Sequence, residues 1–335
     1  MHVGKSYKLG EFLVWTRRKI YTVIVLGLFP VILYEAFGMK WLDIPWPVIG
    51  LVGTSAAFIV GFTSTQTYKR TDEGQQMWTS IVGMSRSWGV SSRDFLNNPE
   101  ISRLLIYRHF AWLTVLRYQL RERMVWESVH KKHNAEYQQY YNVPEWETPL
   151  EQELTKYLGE EELSVILKSR NKGAQLLAMQ SQTLKTIYDG GEIAVLQFVD
   201  MERALRDLFI QQAKNEHMKS APYPRQYAII NTFFVWLFCI ILPFGMLKDF
   251  DLLNDVVQGP MRGHMVWLVV PFSTIISWIY ISLEQVGEST ENPFEGSAND
   301  VPISQISRSI EIELREILGE TALPDEIAAK NDIIM

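Results

Sequence analysis

The sequence predicts an all-α membrane protein with four transmembrane helices and a large helical cytosolic region. Three observations carry that class. Four segments are mostly apolar over about 20 residues, the length that crosses the hydrocarbon core of a bilayer. Mean hydropathy is −0.03 although 21% of the 335 residues are charged, so very apolar and very polar segments must alternate along the chain. In the polar part apolar residues recur at spacings of three and four, and no sustained period-two alternation appears.

The first candidate span is "IYTVIVLGLFPVILYEAFGM", Ile20 to Met39. The second runs from Pro45 to Thr63, the third from Tyr227 to Leu247 and the fourth from Met265 to Leu283. Pro30, Pro243 and Pro271 lie inside three of them. Such prolines are tolerated in membrane helices when neighbouring helices rescue the freed carbonyls. Basic residues near the span ends set the orientation. Lys5, Lys8, Arg17, Arg18 and Lys19 precede the first span, and Lys69 and Arg70 follow the second. The outer loops hold only Lys40 in one and Lys248 with Arg262 in the other. The expected protein is multi-pass in the cell (inner) membrane with both termini cytoplasmic. The expected division is a cytosolic segment 1–19, spans one and two within 20–69, and a helical cytosolic region 70–226. Spans three and four follow within 227–285, then a cytosolic turn, helix and tail at 286–335. No secretory leader is expected, because the first apolar run is too long and no small-residue cleavage site follows it.

The second span continues as "GTSAAFIVGFTSTQTYKR", Gly53 to Arg70. It carries Thr54, Ser55, Thr63, Ser64 and Thr65, more hydroxyls than a lipid-facing helix needs. In the middle region, "TDEGQQMWTSIVGMSRSW", the run from Ile101 to His133 and "AVLQFVDMERALRDLFIQQAKNEHM" have helical periodicity. "NNPE" around Pro99 supplies caps for a new helix start. "YYNVPEWETP" is a loop by its prolines, and residues 321–335 form a loose tail.

Function classes narrow quickly. A net charge of −6 argues against nucleic acid as a partner. The single cysteine, Cys239, cannot form an internal disulfide and reads as a buried apolar group. "HKKH", His130 to His133, has two imidazoles at metal-ligand spacing but no third ligand nearby, and reads as solvated surface. "GEEE", Gly159 to Glu162, is a helix start with acids in its first turn. Glu284, Glu288 and Glu291 at the inner end of the last span read as solvated or capping groups. No catalytic motif, cofactor-binding loop or metal site is present, so no enzyme is expected.

Three motifs then stand in a definite order. "FIVGF" is followed by Arg70, nine residues past Gly61. "PYPRQY", Pro222 to Tyr227, precedes the third span, and "ENPFEGSANDVP", Glu291 to Pro302, follows the fourth. With these motifs, the span order and the large middle insert, the chain resembles the bestrophins in their bacterial form over nearly its whole length. Thr71 and Asp72 depart from the aromatic pair of animal members, and Arg225 stands where the family usually has an apolar residue. The resemblance implies a homopentamer in the lipid bilayer with the second span lining one central pore. Ala56, Ala57 and Gly61 would let neighbouring helices approach. The family's three-ring neck falls on Thr54, Phe58 and Phe62, which share one helical face. Its cytosolic aperture falls on Leu196, with Val195 and Gln197 one register step away. The implied function is passive flux of small ions, anions such as chloride, through a hydrophobic neck. The alternatives are a non-selective monovalent cation channel and, from another class, a membrane-anchored scaffold or sensor. In animal members an acid run after the Asn-Pro-Phe turn forms a calcium clasp. Here "EGSAND", Glu295 to Asp300, keeps only two carboxylates. Asp300 is expected to cap the C-terminal helix instead, with Pro302 in its opening positions, and the channel to be calcium-independent.

Overall fold

The computed structural model describes residues 1–335. The chain forms twelve α-helices: α1 (Leu9–Glu35), α2 (Trp46–Asp94), α3 (Pro99–Leu120), α4 (Lys132–Tyr137), α5 (Pro144–Glu147) and α6 (Leu150–Leu154), followed by α7 (Glu160–Lys168), α8 (Lys172–Asp189), α9 (Val195–Ser220), α10 (Arg225–Val256), α11 (Val269–Ser289) and α12 (Ile303–Ile317). Extended pairing is confined to isolated bridges of Ile333 with His2 and with Lys330.

Local chemistry explains several boundaries. Asn98 accepts a hydrogen bond from the Glu100 amide and Pro99 occupies the first turn of α3, which satisfies one orphan donor and wastes none. Asn171 caps α8 in the same way through the Ala174 amide. Glu160, Glu161 and Glu162 fill the first turn of α7, where the helix dipole favours acids. Pro271 is not mid-helix. It falls in the first turn of α11, where its missing N–H costs nothing.

Two expectations fail here for identifiable reasons. The helix expected to run through His133 ends at Leu120. Arg121 turns inward to Asp300, and Glu127 accepts from Lys219. Paired buried charges thus replace the continuing helix. His130 ends a short 3₁₀ turn and His133 lies in α4, so the two imidazoles are not neighbours on one helix. The tail is not loose either. Ile333 and Met335 are buried with Tyr141, Val143 and Ala298, and the Gln305 amide donates to the Met335 carbonyl at 2.7 Å.

The chain divides into two compact units. One comprises Lys5–Arg70 and Tyr223–Glu291, that is α1, α2 as far as Arg70, α10 and α11. Its core gathers Val31, Ile49, Ala56, Phe238, Leu242 and Val269. Helix α2 lies so close to α10 that a Cβ on Gly53 would sit 2.7 Å from the Phe238 ring, the small-residue contact that membrane helices favour. Three helical segments are long and apolar enough to cross a membrane: α2, α10 and the Met265–Ser289 run that contains α11. The first expected span falls short of that standard. Helix α1 ends at Glu35 rather than Met39. Its uncharged stretch between Lys19 and Glu35 spans only ~22 Å at 1.5 Å per residue, against a hydrocarbon core of about 30 Å.

The other unit comprises Met1–Gly4, Thr71–Pro222 and Asn292–Met335. Trp78, Trp88, Phe110 and Trp112 are its largest buried apolar side chains. The Trp112 indole donates to Gln212 Oε1 at 2.8 Å. His109 is fully enclosed, hydrogen-bonded to Ser85 at 2.8 Å, and burial pushes its imidazole down to about 3. It is therefore a neutral core group.

Candidate functional site

Helix α2 has two contrasting faces. Ile49, Ala56, Val60, Thr63 and Thr67 are buried against the unit's own helices. On the opposite side Leu51 is open, and Phe58 and Phe62 are 74% and 46% exposed. Thr54 is exposed on the same side. Thr54, Phe58 and Phe62 thus form one line along a helix able to cross a membrane, left uncovered by the chain's own packing. Two phenylalanines one turn apart give that line an apolar character. The hydroxyls do not change it, because they bond back to their own helix. Thr54 Oγ1 donates to Gly50 O at 2.8 Å, Ser55 to Leu51 O at 2.8 Å and Thr65 to Gly61 O at 2.9 Å. Their presence therefore requires no water, contrary to the first impression of a polar stripe.

The end of this unit that carries Lys19, Arg70 and Arg225 is tied by carboxylates of α11 and its C-terminal turn. Glu284 is 8% exposed. It accepts from Lys19 Nζ of α1 at 3.0 Å and from Thr232 Oγ1 of α10 at 2.7 Å. Glu291 is buried as well. Its carboxylate pairs with Arg225 Nη1 at 3.2 Å, and its carbonyl accepts from Arg70 Nε at 3.0 Å. These two acids are not solvated groups, as their place at a span end suggested. They are ion-paired ties between helices, which is how an ionisable side chain is normally accommodated near a membrane. The pairing also gives Arg225, otherwise out of place in an apolar position, its partner. Beside it, the Tyr227 ring lies 6.3 Å from that of Phe62.

Asp300 is not a helix cap. Helix α12 begins at Ile303 after Pro302, with no side-chain cap. Asp300 is 2% exposed and accepts from Arg121 Nη1 at 2.8 Å, from the Gly296 amide at 2.7 Å and from Ser297 Oγ at 2.5 Å. The guanidinium outcompetes the helix end because a buried charge is tolerated only when paired and fully hydrogen-bonded. Glu295 is equally enclosed and accepts from the Ser128 amide at 2.8 Å and Ser128 Oγ at 2.6 Å. Burial, with the carboxylates of Asp300 and Glu127 adding to it, pushes Glu295 up to about 8. Gly296 between them has φ +90°, and a Cβ there would meet the Trp146 ring at 2.5 Å, so this turn needs glycine. Both carboxylates are thus spent on protein donors. No cluster of three or more His, Cys, Asp or Glu side chains is arranged to hold a metal ion.

The sequence pattern of the bacterial and fungal bestrophin proteins matches residues 10–316. The chain belongs to the bestrophin family. Among its relatives, the voltage-dependent anion channel-forming protein YneE of Escherichia coli K12 is 24% identical over 308 residues, covering 92% of this chain and 86% of the relative. The voltage-dependent anion channel-forming protein mll4386 of Mesorhizobium japonicum is 22% identical over 306 residues, covering 90% and 82%. Among solved structures, that of a bacterial bestrophin homolog from Klebsiella pneumoniae superposes with a TM-score of 0.75 at 20% identity, covering 91% of this chain and 98% of the other. At that identity the likeness is one of fold.

This bestrophin is a membrane protein, and its structure distributes the sequence-selected residues unevenly. Thr54, Phe58 and Phe62 come together on one open face. Leu196 is the second residue of α9 and is 79% exposed. Of its register neighbours, Val195 is exposed too, while Gln197 is occupied, its Oε1 accepting from the Ala194 amide at 2.9 Å. Sequence reasoning missed Glu291 as the partner of Arg225, Tyr227 as the neighbour of Phe62, and the Arg121–Asp300 pair. Arg225 and Tyr227 had a signal through their place in "PYPRQY", and Glu291 through its place at the head of "ENPFEG", but nothing in the sequence showed these contacts.

Proposed function

We propose that this bestrophin is a homopentameric channel that passes small anions, chloride among them, passively through a hydrophobic neck built by α2. The observation that carries the reading is the uncovered line Thr54, Phe58 and Phe62 on a helix of membrane-crossing length. Stacked rings of such residues around a symmetry axis make an apolar constriction that gates by dewetting. The names of the relatives support the anion. Helix α1 serves as the fourth span. The Lys19–Glu284 pair at 3.0 Å neutralises the charge at its inner end, and Arg17 and Arg18 snorkel to the interface. The same basic residues, with Lys69 and Arg70, favour cytoplasmic termini in the inner membrane. The exposed Leu196 supplies a second, cytosolic ring. Calcium independence is supported by Glu295 and Asp300, whose oxygens are already committed to Ser128, Arg121 and backbone amides, where calcium needs about 6 to 8 oxygen ligands.

The test is reconstitution of the purified protein in planar bilayers. Single-channel steps whose reversal potential follows the chloride gradient, unchanged by calcium chelation, are the expected result. A reversal potential that follows the cation gradient favours the cation channel. A purified oligomer without conductance favours the scaffold.

A further inference from the structure

The first turn of α10 has few fastenings of its own. Pro224 precedes it without a side-chain cap. The amides of Tyr227 and Ala228 both lean on the Pro224 carbonyl, at 3.1 and 3.5 Å. Besides the buried Tyr223 ring, 6.4 Å from that of Tyr227, a closed circuit of contacts ties this turn to its neighbours. Phe62 and Arg70 are two turns apart on α2. Arg70 Nε donates to the Glu291 carbonyl at 3.0 Å. The Glu291 carboxylate pairs with Arg225 at 3.2 Å. Arg225 shares the first turn of α10 with Tyr227, whose ring returns to Phe62 at 6.3 Å. Thr67 and Thr290 join hydroxyls at 3.1 Å inside the same circuit. The Arg225 side chain is 42% exposed, against a Glu291 side chain that is 9% exposed, while the Phe62 and Tyr227 rings are open as well. An ion pair of that exposure adds little to overall stability. Its effect is to fix where the turn sits.

We propose that Arg225 is a positioning residue for the neck: through Glu291 it fixes the start of α10 where Tyr227 braces the Phe62 ring. This rests on the neck reading above. Breaking the pair frees the turn, lets Tyr227 move and allows Phe62 more rotamers, which shifts the closed–open balance without removing any residue from the neck.

The test combines single-channel recording with amide hydrogen exchange on the full-length protein. Arg225→Gln and Glu291→Gln should each change open probability in the same direction. The expected size is about two- to fivefold, the range over which one half-exposed ion pair shifts a two-state equilibrium. The double variant should do no more than the larger single one. Arg225→Lys should recover part of the effect, and the swap Arg225→Glu with Glu291→Arg most of it. In a Tyr227→Ala background Arg225→Gln should do nothing further. Exchange at residues 227–230 should quicken in both single variants, while the thermal stability of the assembly stays at the parental value. Unchanged exchange at 227–230 overturns the proposal, and so do additive effects of the two variants. If Phe58→Ala with Phe62→Ala alters gating but Arg225→Gln and Glu291→Gln do not, only this proposal falls. If that neck variant itself gates like the parent, the neck reading falls and takes the proposal with it.

Discussion

Asp300 shows how one side chain can be chemically legible and yet be assigned the wrong task. An acid two residues before Pro302 and a run of helical periodicity reads as an N-cap, whose loss costs about 1 kcal/mol. Its actual partner, Arg121, lies 179 positions away in sequence, and no local spacing reveals a contact of that range. The consequence is a larger penalty. Asp300→Ala removes the nearer of the two carboxylates that pair with the buried Arg121 guanidinium, leaving Glu145 at 3.9 Å, so it should destabilise the unit containing Thr71–Pro222 by about 3 kcal/mol. Denaturant unfolding followed by tryptophan fluorescence measures this, and a loss near 1 kcal/mol would restore the cap. Glu295 makes a second prediction at this scale. Its folded value of about 8 lies above the ordinary 4.5. The neutral carboxyl therefore contributes stability that is full below about 4.5 and is lost as pH rises through about 8. Between pH 5 and 8 the melting temperature of the parent should fall relative to Glu295→Gln, which has no proton to lose. Parallel curves for the two proteins would show that Glu295 is ionised throughout.

Helix α2 carries the functional claim at the level of the element. Its apolar stretch to Thr63 and its small residues Ala56, Ala57 and Gly61 were legible, because apolar length and small residues are local properties of a sequence, but its unbroken continuation to Asp94 was not. Its hydroxyls misled, because whether Thr54, Ser55 and Thr65 face water or bond Gly50, Leu51 and Gly61 depends on side-chain rotamers, not on composition. The end of α3 was illegible for a related reason. "RERMVWESVH" keeps helical periodicity past Leu120, but pairing of Arg121 and Glu127 with distant charges stops the helix. Two predictions belong to α2. Phe58→Ala combined with Phe62→Ala should widen the neck and raise open probability in single-channel recordings, and parental gating would remove these rings from the neck. Gly53→Ala should place a methyl within 2.7 Å of the Phe238 ring. The overpacking should cost about 1–3 kcal/mol, visible as a lower unfolding temperature in detergent. No change would mean that α2 and α10 have room to separate.

For the whole molecule, order and spacing of motifs carried more than any single motif did. "FIVGF" to Arg70, "PYPRQY" and "ENPFEG" reached the bestrophin family from sequence, and the helical fold agrees with it over most of the chain. The network that fills the turn after Asn292 was invisible, since Glu295, Arg121, Ser128 and Lys219 meet only in three dimensions. That network also carries a prediction: micromolar calcium should leave channel activity unchanged, and currents that vanish on chelation and return with calcium would refute it. The central claim is that Thr54, Phe58 and Phe62 of α2 form a neck through which small anions pass. It is tested most directly by the reversal potential of the reconstituted channel under a potassium chloride gradient. The account predicts a value close to the chloride equilibrium potential. A value close to the potassium equilibrium potential would contradict it.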